Sequence, residues 1–459
     1  MAGMEDAGVG PDVSVALFPL PQRIAIIGGG WAGMAAAVQL HTQGHHTTVW
    51  EASRTWGGRA RSLALQGPNG QQWTVDNGQH ILIGAYQACL QLMHTVGINP
   101  SSALRRLPLD LRYADGTGLR LPNLSPPWDA IAGIARAKGW SWSEKIALLR
   151  TADRWKRSGF QCALQASVSD LCQGLPQRLI QDFVDPLCIS ALNLPANQAS
   201  GSIFLRVLQD GLFSGKGGSN LLIPRTDLSS LFPATAAQWL QKQNARLHLG
   251  CRPQSLVWNT TQETWQVDGE VFDAVVLATS CNAAAKLVMH ACLPTSSQAT
   301  ASQWATCAEA LPHTSIATVY AYTQQTPYQG QHLPAPMVAL RSNSHAPAQF
   351  AFDKVQLGGP EGLIAFVVSA CSGDSETLQS QVINQAREQL GLKDLQAIKT
   401  IIDKRATFAC IPNVQRPSTF IAPRLWACGD YVSGPYPATL EGAVRSGLEV
   451  ANALNSACT

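Results

Sequence analysis

IAIIGGGWAGMAAAVQL at 24–40, followed by TTVWEAS at 47–53, decides the fold. Residues 24–27 read as a short buried parallel strand and 34–40 as the opening of a helix. Gly28, Gly30 and Gly33 stand between them at GxGxxG spacing. Gly28 permits the tight strand-to-helix turn, and Gly30 lets backbone approach a diphosphate with no Cβ in the way. Gly33 lets helix and strand pack closely, and the helix N-terminus supplies free amides and a positive dipole end. Residues 47–50 are the second strand. Glu51 closes it 21 residues beyond Gly30, where a carboxylate can accept from ribose hydroxyls. Glycine turns alone are common, but strand, glycines, helix, strand and acid in one unit specify a dinucleotide held by its pyrophosphate.

With 459 residues, the chain is expected to form two domains. Hydrophobic residues make up 46% and charged residues 14%, which implies a large core under a rather apolar surface. A net charge of +3 gives no footprint for nucleic acid. The twelve cysteines are scattered, with no CxxC pair and no Cys/His cluster, so neither a disulfide framework nor a zinc site is expected. The ten histidines show no HExxH spacing, and no metal is expected. Residues 1–20 read as a disordered leader without the pattern of a signal peptide. No apolar run reaches the roughly 18 residues of a spanning helix. The expected location is cytoplasmic, with room for peripheral contact on the inner membrane face.

Further along, 81–96 reads as helical, 109–121 as a hairpin turning at Asp115-Gly116, and 128–212 as a helical region broken at Gly139, Gly159 and Pro195. SGKGGSN at 214–220 leads into a helix over 228–242. Residues 246–249, 255–258, 265–267 and 274–278 read as strands, as do 313–323 and 362–370, with a helix near 376–390. LWACGD at 425–430 is a strand meeting a loop, and 439–454 is a helix. Strands of the first sheet thus recur in mid-chain and at the C-terminus. The fold class is α/β, with the dinucleotide domain over 21–85, 214–290 and 412–459. A mixed α+β domain over 86–213 and 291–411 interrupts it.

Three further segments carry chemistry. In WGGRARS at 56–62, Gly57 and Gly58 allow close approach to a ligand. Arg59 reads either as a phosphate or ring-edge contact or as a solvated side chain of a glycine loop. DNGQH at 76–80 gathers polar side chains on one turn, where Asp76 or Asn77 serves a site or simply caps a helix. In ACGDYVSGPYPATLEGAVRSG at 427–447, Gly429 and Asp430 end a strand, and Asp430 can accept from a sugar hydroxyl. Thr439, Leu440 and Glu441 open the last helix. Its amides suit the anion that forms on a reduced flavin pyrimidine; a plain capped helix is the alternative.

Together these segments resemble the amine oxidase and phytoene desaturase superfamily of FAD enzymes, in order and over most of the chain. The match is loosest over 128–212. The resemblance implies a Rossmann-like FAD domain of the GR2 type, a second domain for substrate, and FAD held by Gly28, Gly30, Gly33, Glu51, Gly58, Arg59, Gly429, Asp430, Thr439, Leu440 and Glu441. Within the superfamily, VDNGQHILIGAY at 75–86, RATFACIPN at 405–413 and the C-terminal segment look most like the squalene-associated flavoproteins, the hydroxysqualene dehydroxylases of bacterial hopanoid biosynthesis. The strand HTSIATVYA at 313–321 has no lysine where flavin amine oxidases usually keep one, and Thr439 and Leu440 replace their aromatic cage residue, which disfavours amine oxidation. Pro253 departs from the small apolar residue that relatives usually show.

What the resemblance implies is removal of an allylic hydroxyl from a long isoprenoid as water, with hydride delivered from reduced FAD in a dry, apolar chamber. His80 and Asp76 are the candidate proton donors; a structural cap is the alternative for His80. Carotenoid desaturation, hydride transfer in the opposite direction, is the second reading, and an isoprenoid carrier without turnover the third. The electron donor is not indicated. Trp128, Trp140, Trp142 and Trp155 lie among Arg136, Lys138, Lys145, Arg150, Arg154, Lys156 and Arg157. Trp142, Ile146, Leu149 and Trp155 are expected to share a face. This suits either a membrane surface or packing on the substrate domain.

Overall fold

The computed structural model describes residues 20–213 and 215–456. The expected leader at 1–19 and Ser214 of the glycine-rich segment lie outside the described residues. A six-stranded sheet runs in the order Arg246–Leu249, His46–Glu51, Arg23–Ile27, Ala274–Leu277, Leu425–Ala427 and Phe420–Ala422. The first five strands are parallel, and the last is an antiparallel edge. Three stretches far apart in sequence therefore build one sheet, as the recurrence of its strand patterns predicts. Arg23–Ile27 is buried on both faces, which is why it reads as a continuous apolar run rather than an alternation. Ile24 and Ile26 pack on the side of Met34, Val444 and Val450, and Ala25 and Ile27 on the side of Val275 and Leu277.

The helix Trp31–Thr42 lies beside the terminal helix Leu440–Ser456. A Cβ on Gly447 would stand 2.4 Å from the Ala32 carbonyl oxygen, so only glycine allows the approach. Farther along, Gln39 and Gln43 both donate to Asn452 Oδ1, at 3.3 and 2.8 Å. The contacts advance together along both helices, so the two run parallel and present their N-termini at the same end.

A second, antiparallel sheet has the order Met337–Ala339, Phe350–Asp353, Leu363–Ser369, His313–Tyr322 and Gln396–Phe408. Its strand His313–Tyr322 alternates. Ala317, Val319 and Ala321 pack with Leu378, Val382 and Ala386 of the helix Ser375–Leu390, while Tyr320 belongs to the core on the other side. On that other side lies the hairpin Ser62–Gln66/Gln72–Asp76, whose Trp73 ring is 6.3 Å from that of Tyr322.

Several sequence expectations need correction. Residues 81–86 do not open a helix: Leu82–Ile83 is a strand paired with Leu221–Leu222, and the helix spans Gln87–Thr95. Gly84 fixes this, since a Cβ there would lie 1.9 Å from the Gly217 carbonyl oxygen. The expected helix over 228–242 is two, Leu228–Leu231 and Pro233–Lys242, because the proline pushes Phe232 off helical geometry (φ −153°, ψ −60°). The boundary drawn at 85/86 runs through a packed unit, as Cys89, Leu92 and Met93 share the core of Met34 and Val444. The helix Gln298–Glu309 likewise leans on the dinucleotide half, with Trp304 Nε1 donating to the Ser418 carbonyl at 2.8 Å.

In the helix Trp142–Arg157 the expected single face splits. Trp142 and Ile146 are exposed, but Trp155 is buried and donates to the Leu171 carbonyl. Six residues separate Leu149 from Trp155, a rotation of roughly 240° around the helix.

Candidate functional site

The parallel strands end at one edge of the sheet, and both glycine-bearing segments meet there. The Gly28 turn is locked by backbone: its amide donates to the Trp50 carbonyl at 2.7 Å, and its φ of +120° with Ala278 O 2.4 Å from an added Cβ excludes any side chain. Gly33 is equally tight, 1.9 Å from Gly28 O by the same measure. Gly30 differs. Nothing lies closer than 3.7 Å to a Cβ there, and the nearest atoms belong to Gly57 and Gly58. The two glycine loops bridge through Gly30 and Gly57, with the Gly57 amide on Gly29 O at 3.0 Å.

The helix behind Gly30 has no side-chain cap and no acid in its first turn, although Trp31 and Ala32 are buried. Buried, uncapped amides over an open glycine cradle fit a diphosphate. Glu51 braces the turn through both oxygens, accepting from Gly29 N at 2.9 Å and Ser53 N at 2.8 Å. Each oxygen retains capacity for a ribose hydroxyl.

The loop 57–61 is fastened from two directions. Asn77 accepts from Arg61 N at 3.1 Å and donates through Nδ2 to Arg59 O at 2.5 Å, so the DNGQH turn holds this loop. The Arg59 guanidinium donates to the Asp430 carboxylate and, at 2.9 Å, to the Ala406 carbonyl. The Asp430 charge raises the Arg59 pKa further. Gly429 N donates to Ser446 Oγ of the terminal helix at 2.9 Å. Asp430 is tied to the N-terminal loop through its carboxylate and, through its carbonyl, which accepts from Ala438 N at 3.1 Å, to the approach to the last helix.

Two expected contacts turn out to be joints within the protein. Thr439 caps the terminal helix, its Oγ1 accepting from Gly442 N at 3.0 Å and donating to Tyr436 O at 2.7 Å. Glu441, fully buried, accepts from Ala88 N, Cys89 N and Arg445 Nε at 3.1, 2.9 and 2.7 Å. It caps the helix Gln87–Thr95, whose own N-cap Tyr86 offers no side-chain acceptor, instead of reaching toward a cofactor. Leu440 opens the helix, half-buried, beside it.

The DNGQH turn is a partition. On its outer side Asp76 and Lys354 line a polar cavity of about 610 Å³ together with Trp73, Thr74, Asp227 and Tyr322. Asp76 does cap a helix, but a distant one: Oδ1 accepts from Leu228 N at 2.8 Å. Burial pushes its carboxyl up to about 6. Burial holds the Lys354 ammonium below its usual range, and that group reaches Gln79 Oε1 at 3.3 Å. Gln79 Nε2 donates to Tyr320 Oη, which donates to Asp76 O at 2.7 Å.

On the inner side, His80 Nδ1 meets the Gly78 carbonyl at 3.2 Å. Burial first, then the Arg59 charge, lowers the His80 pKa, and the neutral ring donates from Nδ1 and keeps Nε2 as an acceptor. Farther in, Cys281 Sγ lies 3.5 Å from His313 Nε2, and burial raises that thiol's pKa. A second, apolar cavity of about 610 Å³ is lined by Thr306, Leu311, Ile411 and Val414. Neither cavity is bounded by the glycine turns.

Sequence reasoning missed Lys354, Tyr320 and Thr318. The last two were legible as the polar positions of an alternating strand. Among the described residues no cluster could hold a metal ion, and no helix is long and apolar enough to cross a membrane.

Residues 31–455 match the model of the flavin containing amine oxidoreductase family. The chain is 25% identical to the hydroxysqualene dehydroxylase of Sinorhizobium fredii over 94% of its own length and 98% of that protein. It is 35% identical to the zeta-carotene desaturase of Arabidopsis thaliana, but over 50% of this chain and 44% of that one. Its fold is that of an oxidoreductase from Methanosarcina mazei, with a TM-score of 0.68, 15% identity, and coverage of 94% of this chain and all of that one.

Proposed function

The chain belongs to the flavin containing amine oxidoreductases, and we propose that it is an FAD-dependent enzyme that removes the allylic hydroxyl of hydroxysqualene to give squalene. The observation that carries this reading is end-to-end likeness to a dehydroxylase, against likeness to a desaturase over half the chain. The absence of a lysine from His313–Tyr322 argues against amine oxidation.

Gly28, Gly30 and Gly33, with the loop Gly57–Arg59, would hold the diphosphate, Glu51 a ribose, and Asp430 with the terminal helix the flavin end. FAD, when bound and reduced, supplies the hydride that replaces the hydroxyl. The protein's share is to orient the alcohol, exclude water and supply one proton to the departing oxygen. His80 is the proposed donor because it belongs to the turn whose Asn77 clamps the Arg59 loop, and because, with Nδ1 on Gly78 O, its Nε2 has no protein partner among the described residues. Asp76, with a carboxyl pKa of about 6 behind the same turn, is the group that can hold an exchangeable proton near neutral pH.

The isoprenoid substrate dissolves in bilayers, and we place the enzyme's membrane contact at 128–157. Trp128 and Ile131 on one helix and Trp142 and Ile146 on the next are exposed. Lys145 Nζ joins these helices, 2.9 Å from Ala135 O and 4.8 Å from the Trp142 ring centroid. Exposed Arg136, Lys138 and Arg150 flank them, a rim that suits anionic lipid.

The deciding experiment is anaerobic. Pre-reduced, flavin-loaded protein is mixed with hydroxysqualene. Stoichiometric squalene and reoxidised flavin support the reading; no squalene, or reduction of oxidised flavin by phytoene, rejects it.

A further inference from the structure

We propose that Thr318 recognises the substrate hydroxyl, facing His80 across Gly78; this rests on the dehydroxylase reading. Thr318 is 1% exposed, and its Oγ1 has no hydrogen-bond partner among the described residues. Folded chains seldom leave a buried hydroxyl unpaired unless a partner arrives from outside. The strand's alternation sends Ala317 and Val319 into the packed face against the helix Ser375–Leu390 and turns Thr318 the other way. The neighbours on that other side are the DNGQH residues. A Cβ on Gly78 would stand 3.9 Å from Thr318 Oγ1 and 3.6 Å from His80 Cε1. A methyl group at 78 would thus touch both, so hydroxyl and imidazole flank the same glycine.

The chemistry of the two groups is complementary to an alcohol. With Nδ1 donating to Gly78 O, His80 presents Nε2 as an acceptor, and Thr318 presents an O–H donor. An allylic hydroxyl donates to the first and accepts from the second. When His80 is protonated, the same contact reverses: Nε2–H donates to the hydroxyl oxygen and gives up its proton as the C–O bond breaks. Asn77, next to Gly78, bonds Arg61 N and Arg59 O, which places the pair beside the loop proposed to hold the diphosphate. Squalene, a hydrocarbon, uses neither group. Thr318 thus discriminates substrate from product.

The test compares wild type with Thr318→Val, which keeps the shape and removes the hydroxyl, and Thr318→Ser, which restores it. Dissociation constants for hydroxysqualene and squalene are read at pH 7.5 from perturbation of the oxidised flavin spectrum. Thr318→Val is expected to weaken hydroxysqualene about tenfold, the loss of one buried hydrogen bond, with squalene unchanged and Thr318→Ser near wild type. Equal loss for both ligands, or no loss for hydroxysqualene, overturns the assignment. So does a changed flavin spectrum in the ligand-free variant, which would give the hydroxyl to the cofactor. Wild-type protein that neither binds nor converts hydroxysqualene overturns this inference and the dehydroxylase reading together. Wild-type turnover with undiminished discrimination in Thr318→Val overturns the inference alone.

Discussion

The Arg59 guanidinium pairs with the Asp430 carboxylate across 371 positions of chain, joining the loop after the second strand to the loop before the last helix. The Asp430 side chain is 8% exposed and that of Arg59 40%, so the pair stands between a buried and a surface ion pair. Arg59→Met leaves an uncompensated carboxylate at the junction. It is expected to cost about 2 kcal/mol, between the ~1 of exposed pairs and the ~3–5 of broken buried ones. Thermal denaturation of the flavin-free protein reads this directly. The holoprotein should also lose flavin on gel filtration, and retention at wild-type level would remove the pair from the cradle.

Gly447 sets how closely the terminal helix approaches Trp31–Thr42. Gly447→Ala places a methyl group against the Ala32 carbonyl and the Ala36 amide. Overpacking of that kind costs about 1–3 kcal/mol. If the same helices present their N-termini to the flavin, as proposed, flavin affinity should fall with stability. Gly211→Ala, in the helix Gly201–Leu212, where an added Cβ meets only Ile83 Cδ1 at 3.7 Å, is the control for a glycine outside the cradle.

Asp76 has its pKa raised, from 3.8 to about 6, chiefly by burial. The folded chain then binds more protons than the unfolded one between those values, so this group lowers stability as pH rises through 4 to 6. The cost is present in full above about 6 and absent below about 3.8. Asp76→Asn is expected to raise the melting temperature relative to wild type at pH 7.5, with the difference shrinking at pH 4.5. A gain independent of pH would show that the carboxyl is not the cause.

Turnover should favour acid. A proton donor acts in its protonated form, which prevails below its pKa, and burial holds His80 below the ordinary imidazole value. The profile of kcat/KM is expected to fall as pH rises, with its midpoint below the ordinary imidazole value, and His80→Gln should flatten it and lower kcat at least about a hundredfold. A profile unchanged in the variant would remove His80 from proton transfer.

Trp128 and Trp142 are 64% and 69% exposed. The double replacement Trp128→Ser/Trp142→Ser should weaken sedimentation with vesicles containing phosphatidylglycerol about tenfold or more, with little change in melting temperature. Wild-type binding should weaken as salt rises, because part of it is electrostatic. Equal binding to neutral vesicles would leave no role for the basic rim.

Much of the dinucleotide half was written locally. The run 24–53 declares its own geometry through GxGxxG spacing between an apolar strand and a helix, although the atom that excludes a side chain at Gly28 is the distant Ala278 carbonyl oxygen. LWACGD and the final helix were legible for the same reason, and Asn77 appeared as a capping residue before its clamp on Arg59 and Arg61 was known. Glu441 was misread because a carboxylate at a helix start looks alike whether it faces a ligand or, as here, Ala88 and Cys89. Trp155 leaves the face of Trp142 and Ile146 because six residues beyond Leu149 turn it about 240° round the helix, which the clustering of tryptophans in the sequence conceals.

Sequence alone determined the glycine turn and the strand–helix–strand unit around it, since GxGxxG spacing and the apolar run before it are local patterns. Tertiary structure alone decided that Asp76 caps Leu228, that Lys354 reaches Gln79, and that Thr318 faces Gly78 with an unpaired hydroxyl. Those partners lie 152 and 275 residues apart in the first two cases. A side chain's partner across such separations is set by how two sheets stack, and no local pattern of residues encodes that.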